Sequence, residues 1–258
     1  MNHWKSFLGA IVVLSTSCSA WAADPEVGGV KTEGVEFAGG SGKIKGYIAR
    51  PEGAGPFPGI IVVHEWWGLT DWVKGRADQL AGQGYVALAV DLYGGRSTAN
   101  AAEAHELMRA LDPAEGLADL KGGIAYLKAR PDVAPGKPLG AIGWCMGGMY
   151  SRLAAQESDA IGPTVICYGS VAADPAQVAK LKGKSILGIF GATDRGIPPA
   201  KVEAFAKAVE EQGGRVTLKV YDGAGHAFMR EGGDQYQAEA AADATKRIER
   251  FFAETLKR

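Results

Sequence analysis

The sequence predicts an α/β protein built on one doubly wound, mostly parallel sheet that is flanked by helices. Apolar runs alternate with helical stretches along almost the whole chain, which is typical of strands joined by crossover helices. The runs at 59–63 and 85–90 are apolar without interruption, as strands must be when both of their faces are buried. The 258 residues, of which 47% are apolar and 22% charged, suit one large domain with a substantial core.

Each strand is predicted from a short apolar or alternating run that ends in turn residues. The first two strands are expected to form an antiparallel pair, because a Gly-Gly-Ser-Gly stretch at 39–42 joins them. The predicted strands are 35–37, 43–50, 59–63, 85–90, 138–143, 162–168, 185–190 and 216–221. Ligands of parallel sheets bind at the carboxyl ends of the strands, so the residues just after these runs are the candidates for chemistry.

The helices are predicted from longer stretches that carry start and stop signals. Pro113 stands at a favourable N-terminal position, and glycines follow two of the other helices, at Gly84 and Gly213. The predicted helices are 71–83, 100–111, 113–129, 149–155, 174–181, 198–212 and 234–256.

The first 22 residues have the pattern of a secretory signal peptide. The apolar run 7–14, which is too short to span a bilayer, precedes the small-residue cleavage site Ala20-Trp21-Ala22. Cleavage after Ala22 leaves 23–258 as a single domain that is secreted or periplasmic and does not attach to a membrane. A lipoprotein anchored through Cys18 is the less favoured alternative, because Ser15 stands where an aliphatic residue is expected.

Charge and motif content argue against several classes of function. The formal net charge is −1 and no basic stripe is interleaved with aromatic residues, so we expect no nucleic-acid partner. The sequence has no dinucleotide-binding fingerprint and no cluster of His and Cys with metal-ligand spacing, so we expect no cofactor and no metal. We expect a monomer that acts on a small molecule.

The segment Gly143-Trp144-Cys145-Met146-Gly147 has the pattern of a nucleophile elbow, with cysteine in place of the usual serine. It lies between a predicted strand and a predicted helix, so Cys145 is expected at the apex of a sharp turn with a positive φ. The N-terminus of the helix should favour the thiolate. The alternative interpretation is a buried core cysteine beside a glycine-rich turn.

Two cysteines, Cys145 and Cys167, are left after the predicted cleavage. Cys167 lies in a predicted buried strand and is expected to be a core thiol. A disulfide between the two would block the elbow, so we expect both to be free. A free, accessible thiol is a liability in an oxidising compartment, which favours a chemical role for Cys145.

A single histidine follows Cys145, and it lies in a glycine-rich loop before the last helix. A nucleophile elbow in this topology takes its partners in the order nucleophile, acid and histidine, which indicates His226 as the base. Asp194, just after the strand 185–190, is the predicted acid that orients His226 and stabilises its imidazolium. Asp222 is the competing candidate, although it lies only one turn from His226.

Two backbone N–H groups are needed to stabilise an oxyanion. Met146, directly after the nucleophile, is predicted to supply one, and Trp66, in the loop after the strand 59–63, the other. The side chains of Trp66 and Trp67 are expected to form a wall of the pocket.

Glu65 is an unusual residue at the end of a buried strand, because a buried carboxylate is unfavourable without a partner. One interpretation is an ion pair with a cation such as Arg230, and another is that Glu65 takes the thiol proton in one state. A solvated loop glutamate is the simpler alternative.

Five motifs together resemble one known family. They are His64-Glu65-Trp66-Trp67-Gly68, Val90-Asp91-Leu92-Tyr93, Gly143-Trp144-Cys145-Met146-Gly147-Gly148, Gly191-Ala192-Thr193-Asp194 and Ala224-Gly225-His226-Ala227-Phe228-Met229-Arg230. The chain resembles the dienelactone hydrolase family of the α/β-hydrolase superfamily over nearly the whole of 35–252.

This resemblance implies the α/β-hydrolase fold and a triad of Cys145, His226 and Asp194. It also implies that Glu65 contacts the resting Cys145 and helps to generate the thiolate when substrate binds. Arg230 matches the family arginine that pairs with this glutamate and with the substrate carboxylate.

Three positions depart from the family pattern. Ala101 stands near the position of a second arginine, His105 near that of a tyrosine, and Ala227 replaces a serine. The predicted substrate-binding residues are therefore Arg230, Trp67 and His105, and the part of the pocket that clamps an acid is weakened.

A cysteine nucleophile suits activated acyl groups. The intermediate formed on an ordinary ester expels thiolate more readily than alkoxide, so the attack reverts. We therefore expect a hydrolase of small activated esters or lactones, similar to carboxymethylenebutenolidase, that acts through an acyl-thioester. The alternatives are acyl transfer or carbon–halogen cleavage on the same elbow, or a non-catalytic binding protein on the same fold.

Overall fold

The computed structural model of the protein describes Met1 and residues 29–40 and 42–257. The predicted signal peptide and its cleavage site lie, apart from Met1, outside the described residues. Within the described part, no helix combines the length and the apolar character that crossing a lipid bilayer requires.

The central sheet has eight strands among the described residues. These are β1 (Val30–Gly39), β2 (Gly42–Pro51), β3 (Gly59–Val63), β4 (Val86–Val90), β5 (Leu139–Trp144), β6 (Ile161–Cys167), β7 (Ser185–Gly191) and β8 (Arg215–Tyr221). Their order in the sheet is β1-β2-β4-β3-β5-β6-β7-β8. The pairs β1–β2 and β2–β4 are antiparallel and the other five pairs are parallel, which confirms the predicted mostly parallel, doubly wound sheet.

Seven helices in the described part of the chain connect and cover these strands. They are α1 (Asp71–Gly82), α2 (Ala101–Ala110), α3 (Pro113–Lys128), α4 (Met146–Glu157), α5 (Pro175–Ala179), α6 (Pro199–Glu211) and α7 (Ala238–Leu256). Helix α7 begins four residues later than predicted, because the chain before it forms turns through Gly232 at φ 78°. Side-chain oxygens of Asn100 and Asp112 cap α2 and α3 by accepting hydrogen bonds from backbone N–H groups of their first turns.

Helix α4 begins three residues earlier than predicted, directly after Cys145. The glycines expected to form the turn lie within the first turn of the helix instead. A Cβ at Gly147 would collide with the carbonyl oxygen of Val63, and one at Gly148 would lie 2.8 Å from that of Cys167. Because neither glycine has a Cβ, α4 packs directly against the ends of β3 and β6.

Two apolar cores lie on the two faces of the sheet. Along β3, Ile61 and Val63 pack into the core beneath α2 to α6, whereas Ile60 and Val62 pack into the core beneath α1 and α7. Successive strand residues point to opposite faces, so the uninterrupted apolar run of β3 supplies both cores. This packing fixes the strand ends at which the site is built.

Candidate active site

Four strand ends bring the predicted polar residues to one edge of the sheet. Glu65 follows β3, Cys145 follows β5, Asp194 follows β7, and His226 follows β8. Cys145 has φ 56° and ψ −117°, an unfavourable backbone for a residue with a Cβ. Close contact between Gly143 and the Gly147 carbonyl, which a Cβ would prevent, holds this turn in place.

His226 is oriented by Asp194. Its Nδ1 lies 2.7 Å from Oδ2 of Asp194, while Oδ1 of the same carboxylate accepts backbone N–H groups from Gly196 at 2.9 Å and Ile197 at 3.1 Å. An Nδ1–H that donates to Asp194 leaves Nε2 free to act as a base. Asp222, the competing candidate, is exposed to solvent, and the structure pairs His226 with Asp194 instead.

Burial and the negative charge of Glu65 raise the pKa of Cys145 to about 12, although backbone N–H groups of Met146 and Trp66 lower it. The N–H of Met146, at the start of α4, thus favours the thiolate as expected, but desolvation outweighs it. No hydrogen bond between the described residues joins Cys145 to His226, although both line one cavity.

The predicted oxyanion donors converge on Cys145. The backbone N–H groups of Met146, at the start of α4, and of Trp66, in the loop after β3, lie close enough to the sulfur to lower the pKa of Cys145. An oxyanion formed on a carbonyl bound to this sulfur would lie near both donors. The side chain of Trp66 packs edge-on against Trp67, with ring centroids 4.9 Å apart.

Glu65 is buried, with 2% of its surface exposed, so the solvated-loop alternative is wrong. Its Oε2 lies 3.6 Å from Nε of Arg230, whose guanidinium stacks 4.4 Å above the ring of Trp67. Burial raises the pKa of Glu65 to about 7, while Arg230 and the nearby Tyr168 hydroxyl lower it. The carboxyl group is thus able to exchange a proton near neutral pH.

His64 was not among the site residues predicted from the sequence, yet it anchors the loop after β3 that contains Trp66, one of the predicted oxyanion donors. Its Nδ1 lies 2.6 Å from the carbonyl oxygen of Glu65, and its Nε2 accepts the backbone N–H of Leu92 at 3.1 Å. Burial lowers the pKa of His64, which favours the neutral ring with a proton on Nδ1. Because C=O and N–H point in opposite directions across a trans peptide, anchoring the Glu65 carbonyl directs the Trp66 N–H towards Cys145. A histidine directly after a buried strand is the sequence signal that could have identified it.

Tyr168 is a second residue that the sequence pattern did not single out. It was predicted as the last residue of a strand, but it lies just beyond β6 with φ 39°. Its ring makes an edge contact with His226 at 5.3 Å between centroids. Its hydroxyl is buried outside hydrogen-bonding geometry with any described residue, so strain and an unpaired polar group coincide beside the site.

A cavity of about 260 Å³ opens next to Cys145 and His226. Its lining is Met108, Leu111, Pro113, Cys145, Met146, Met149, Tyr150, Tyr168, Ser170, Ile197 and His226. The structure does not bring His105 to this cavity: the side chain is about half exposed on α2, with Nδ1 3.8 Å from Glu106. His105 is thus exposed on α2 and is not among the residues that line the cavity.

Comparison with known proteins agrees with these features. The profile of the dienelactone hydrolase family matches residues 44–256. A carboxymethylenebutenolidase homologue of Methylorubrum extorquens is 33% identical over 224 residues, which are 82% of this chain and 77% of that protein. Protein usf of Aquifex pyrophilus is 34% identical over 236 residues, covering 86% of this chain and 98% of that one.

Solved structures support the same relationship. A dienelactone hydrolase-like promiscuous phosphotriesterase from metagenomic libraries superposes with a TM-score of 0.80 at 25% identity, covering 88% of this chain and 99% of that chain. The region matched by the family profile contains Glu65, Cys145, Asp194 and His226. The chain is a hydrolase that belongs to the dienelactone hydrolase family of the α/β-hydrolase superfamily.

Proposed function

We propose that the protein hydrolyses small activated esters or lactones with Cys145 as the nucleophile, through an acyl-thioester intermediate. The observation that carries this proposal is the cavity shared by Cys145, on its strained turn, and His226, whose Nδ1 is held 2.7 Å from Asp194. A merely structural cysteine would not need a positive φ, two converging N–H donors and an oriented histidine.

The first step is the loss of the thiol proton. With a pKa of about 12 the resting thiol is unreactive, and a base must take its proton when substrate arrives. Glu65, whose carboxyl has a pKa of about 7, is the base that faces the resting thiol. Proton transfer neutralises Glu65, which removes the repulsion that raised the pKa of Cys145.

The sulfur then attacks the substrate carbonyl, and the new C–S bond places the oxyanion near the N–H groups of Met146 and Trp66. Collapse of this intermediate breaks the C–O bond, and the leaving oxygen of an activated ester or enol lactone departs as its anion. Water next attacks the thioester while Nε2 of His226 accepts its proton, and the acid is released as the thiolate leaves. Glu65 returns its proton to the thiolate, His226 passes the proton of water to the departed anion, and the resting state returns.

The relatives suggest the substrate class only coarsely. Their names point to lactones of the carboxymethylenebutenolide type, but Ala101 and Ala227 stand where this chain would need polar groups to clamp an acid. We therefore keep the class as small activated esters and lactones, which includes aryl esters and enol lactones.

The experiment is hydrolysis of p-nitrophenyl acetate and a dienelactone by the wild type, Cys145→Ala and Cys145→Ser. The wild type should turn over at least one ester, and Cys145→Ala should lose the activity together with the acyl adduct that mass spectrometry detects on Cys145. Equal rates in the wild type and Cys145→Ala would refute the mechanism. Transfer of the acyl group to an added alcohol or amine in preference to water would favour an acyltransferase.

We also propose that the protein is exported and acts as a monomer. The support is the signal-peptide pattern of residues 1–22, with cleavage expected after Ala22. N-terminal sequencing of protein from the periplasmic fraction tests it, since an N-terminus at Ala23 is expected and an intact Met1 would contradict it. Sedimentation analysis of the same sample checks the oligomeric state.

A further inference from the structure

The cavity beside Cys145 and His226 has a mainly apolar wall, formed by Met108, Leu111, Met146, Met149 and Ile197. Its other polar side chains are the hydroxyl groups of Tyr150, Tyr168 and Ser170, and among the described residues no lysine, arginine, aspartate or glutamate lines it. A substrate group that enters this space loses part of its water against an apolar wall. The lining offers no ionic partner in exchange for that water.

Three arginines around the site contact other groups. Arg230 lies between Glu65 and the ring of Trp67. On α2, which supplies part of the wall, Arg109 lies 3.6 Å from Glu106 and is two-thirds exposed. Arg152 on α4 is buried, but its guanidinium donates to the carbonyl oxygen of Ser170 and to the side chain of Gln156. The position near Ala101, where the family pattern has a second arginine, carries no cation in this chain.

A carboxylate placed in this cavity would be desolvated without a compensating charge, which is strongly unfavourable. An alkyl or aryl group of the same size would gain by leaving water. We infer that the cavity selects esters whose bound group is apolar and uncharged, and that it discriminates against carboxylate-bearing substrates. This inference rests on the proposed function and names the substrate class of the same site.

The methionines in the wall make the cavity tolerant of apolar groups of different shape. Three of the five methionines of the chain, Met108, Met146 and Met149, line the cavity. Their unbranched side chains adapt to the shape of a ligand more readily than branched ones. The site should therefore accept straight, branched and aromatic groups of similar volume with similar efficiency.

The first experiment compares matched esters of one leaving group. p-Nitrophenyl hexanoate carries an uncharged chain, and the p-nitrophenyl hemiester of glutaric acid carries a terminal carboxylate at a similar length. After correction for the rate of each ester without enzyme, kcat/KM should favour the uncharged ester by about tenfold or more. Equal values, or a preference for the hemiester, would overturn the inference.

Matched variants separate charge from shape. Met108→Lys introduces a cation at the wall, and Met108→Gln introduces a polar side chain of similar length without charge. The ratio of hemiester to hexanoate turnover should rise about tenfold in Met108→Lys and much less in Met108→Gln. Added salt should reduce the rise in Met108→Lys. A similar ratio in both variants would mean that charge does not govern selection.

A measurement without turnover distinguishes failure of this inference from failure of the proposed function. Iodoacetamide and iodoacetate alkylate the same thiol and differ in charge, so the ratio of their rates does not depend on the pKa of Cys145. With glutathione as the reference thiol, and in Glu65→Gln as well as the wild type so that the charge beside the sulfur is removed, Cys145 should prefer iodoacetamide by about tenfold more than glutathione does. If this preference appears while no ester is hydrolysed, the cavity selection holds and the proposed function fails. If esters are hydrolysed but Cys145 shows no preference for iodoacetamide, the proposed function holds and the cavity selection fails.

Discussion

Asp194 and Glu65 are both buried carboxylates at strand ends beside one cavity, but their partners differ. Asp194 accepts two backbone N–H groups and the Nδ1–H of His226, all within 3.1 Å. Glu65 has a cation 3.6 Å away, and burial raises its pKa to about 7. Hydrogen bonds to the charged form stabilise it, whereas burial without them destabilises it. Asp194 is therefore suited to hold a histidine permanently, and Glu65 to gain and lose a proton.

The largest expected effect comes from Asp194→Asn. The amide would favour the tautomer of His226 that cannot act as a base, so kcat/KM should fall about 10³- to 10⁴-fold. Steady-state hydrolysis of an activated ester measures this loss. Asp222→Asn is the matched control, because Asp222 is exposed; a larger loss in that control would reverse the assignment of the acid.

The second effect is that of Glu65→Gln on activity. Removal of the base that faces the resting thiol should lower kcat/KM about 10²-fold, which is less than in Asp194→Asn because His226 is still oriented. Glu65→Asp keeps a carboxyl group and should recover part of the rate. Full activity in Glu65→Gln would mean that His226 alone removes the thiol proton.

The same substitution should stabilise the protein, in contrast to Asp194→Asn. The pKa of Glu65 is raised from an ordinary 4.5 to about 7, so the folded state binds the proton more tightly than the unfolded state. Stability is then lost as the pH rises from about 4.5 to about 7, by about 3 kcal/mol in total. Glu65→Gln does not incur this loss, so its free energy of unfolding should exceed that of the wild type at pH 8 and not at pH 4.

Urea denaturation at the two pH values measures this difference. Asp194→Asn should be less stable than the wild type by about 1 to 3 kcal/mol at pH 8, because it weakens hydrogen bonds to a charged acceptor. Destabilisation of both variants at pH 8 would contradict the contrast between the two carboxylates.

A smaller effect is expected from the peptide that follows Glu65. His64→Gln removes the donor that anchors the Glu65 carbonyl, so kcat should fall about tenfold with KM little changed, since one oxyanion donor is misdirected. His64→Asn keeps a donor near the Nδ1 position and should retain more activity. The exposed His105, changed to Gln, is the control. Equal losses in the Asn and Gln variants would indicate a general packing defect, which circular dichroism of each variant would register.

The sequence predicted the buried strand β3 better than the start of the edge strand β1. β3 has the predicted bounds, because an uninterrupted apolar run is required when both faces are buried. β1 begins at Val30, five residues before its predicted start. Lys31 and Glu33 are exposed on this edge strand, so polar residues conceal the pattern there.

The candidate site also has parts that could be predicted from the sequence and parts that could not. The positions of Cys145, Asp194 and His226 follow from topology, since the elbow fixes one strand end and chain order fixes the others. The protonation state of the Cys145 thiol and the position of His105 could not be predicted from the sequence, because they depend on three-dimensional surroundings. The charge of Glu65 and the burial of Cys145 decide the first, and the rotation of α2 decides the second.

The raised pKa of Cys145 also bears on its resistance to chemical damage. Peroxides and disulfides attack the thiolate rather than the thiol, and burial together with the charge of Glu65 raises the pKa of Cys145, so little thiolate is present at neutral pH. The same burial that would make the proposed nucleophile depend on a base therefore protects the resting thiol from oxidation. In the proposed mechanism, the thiolate is exposed to oxidants mainly while a substrate is bound.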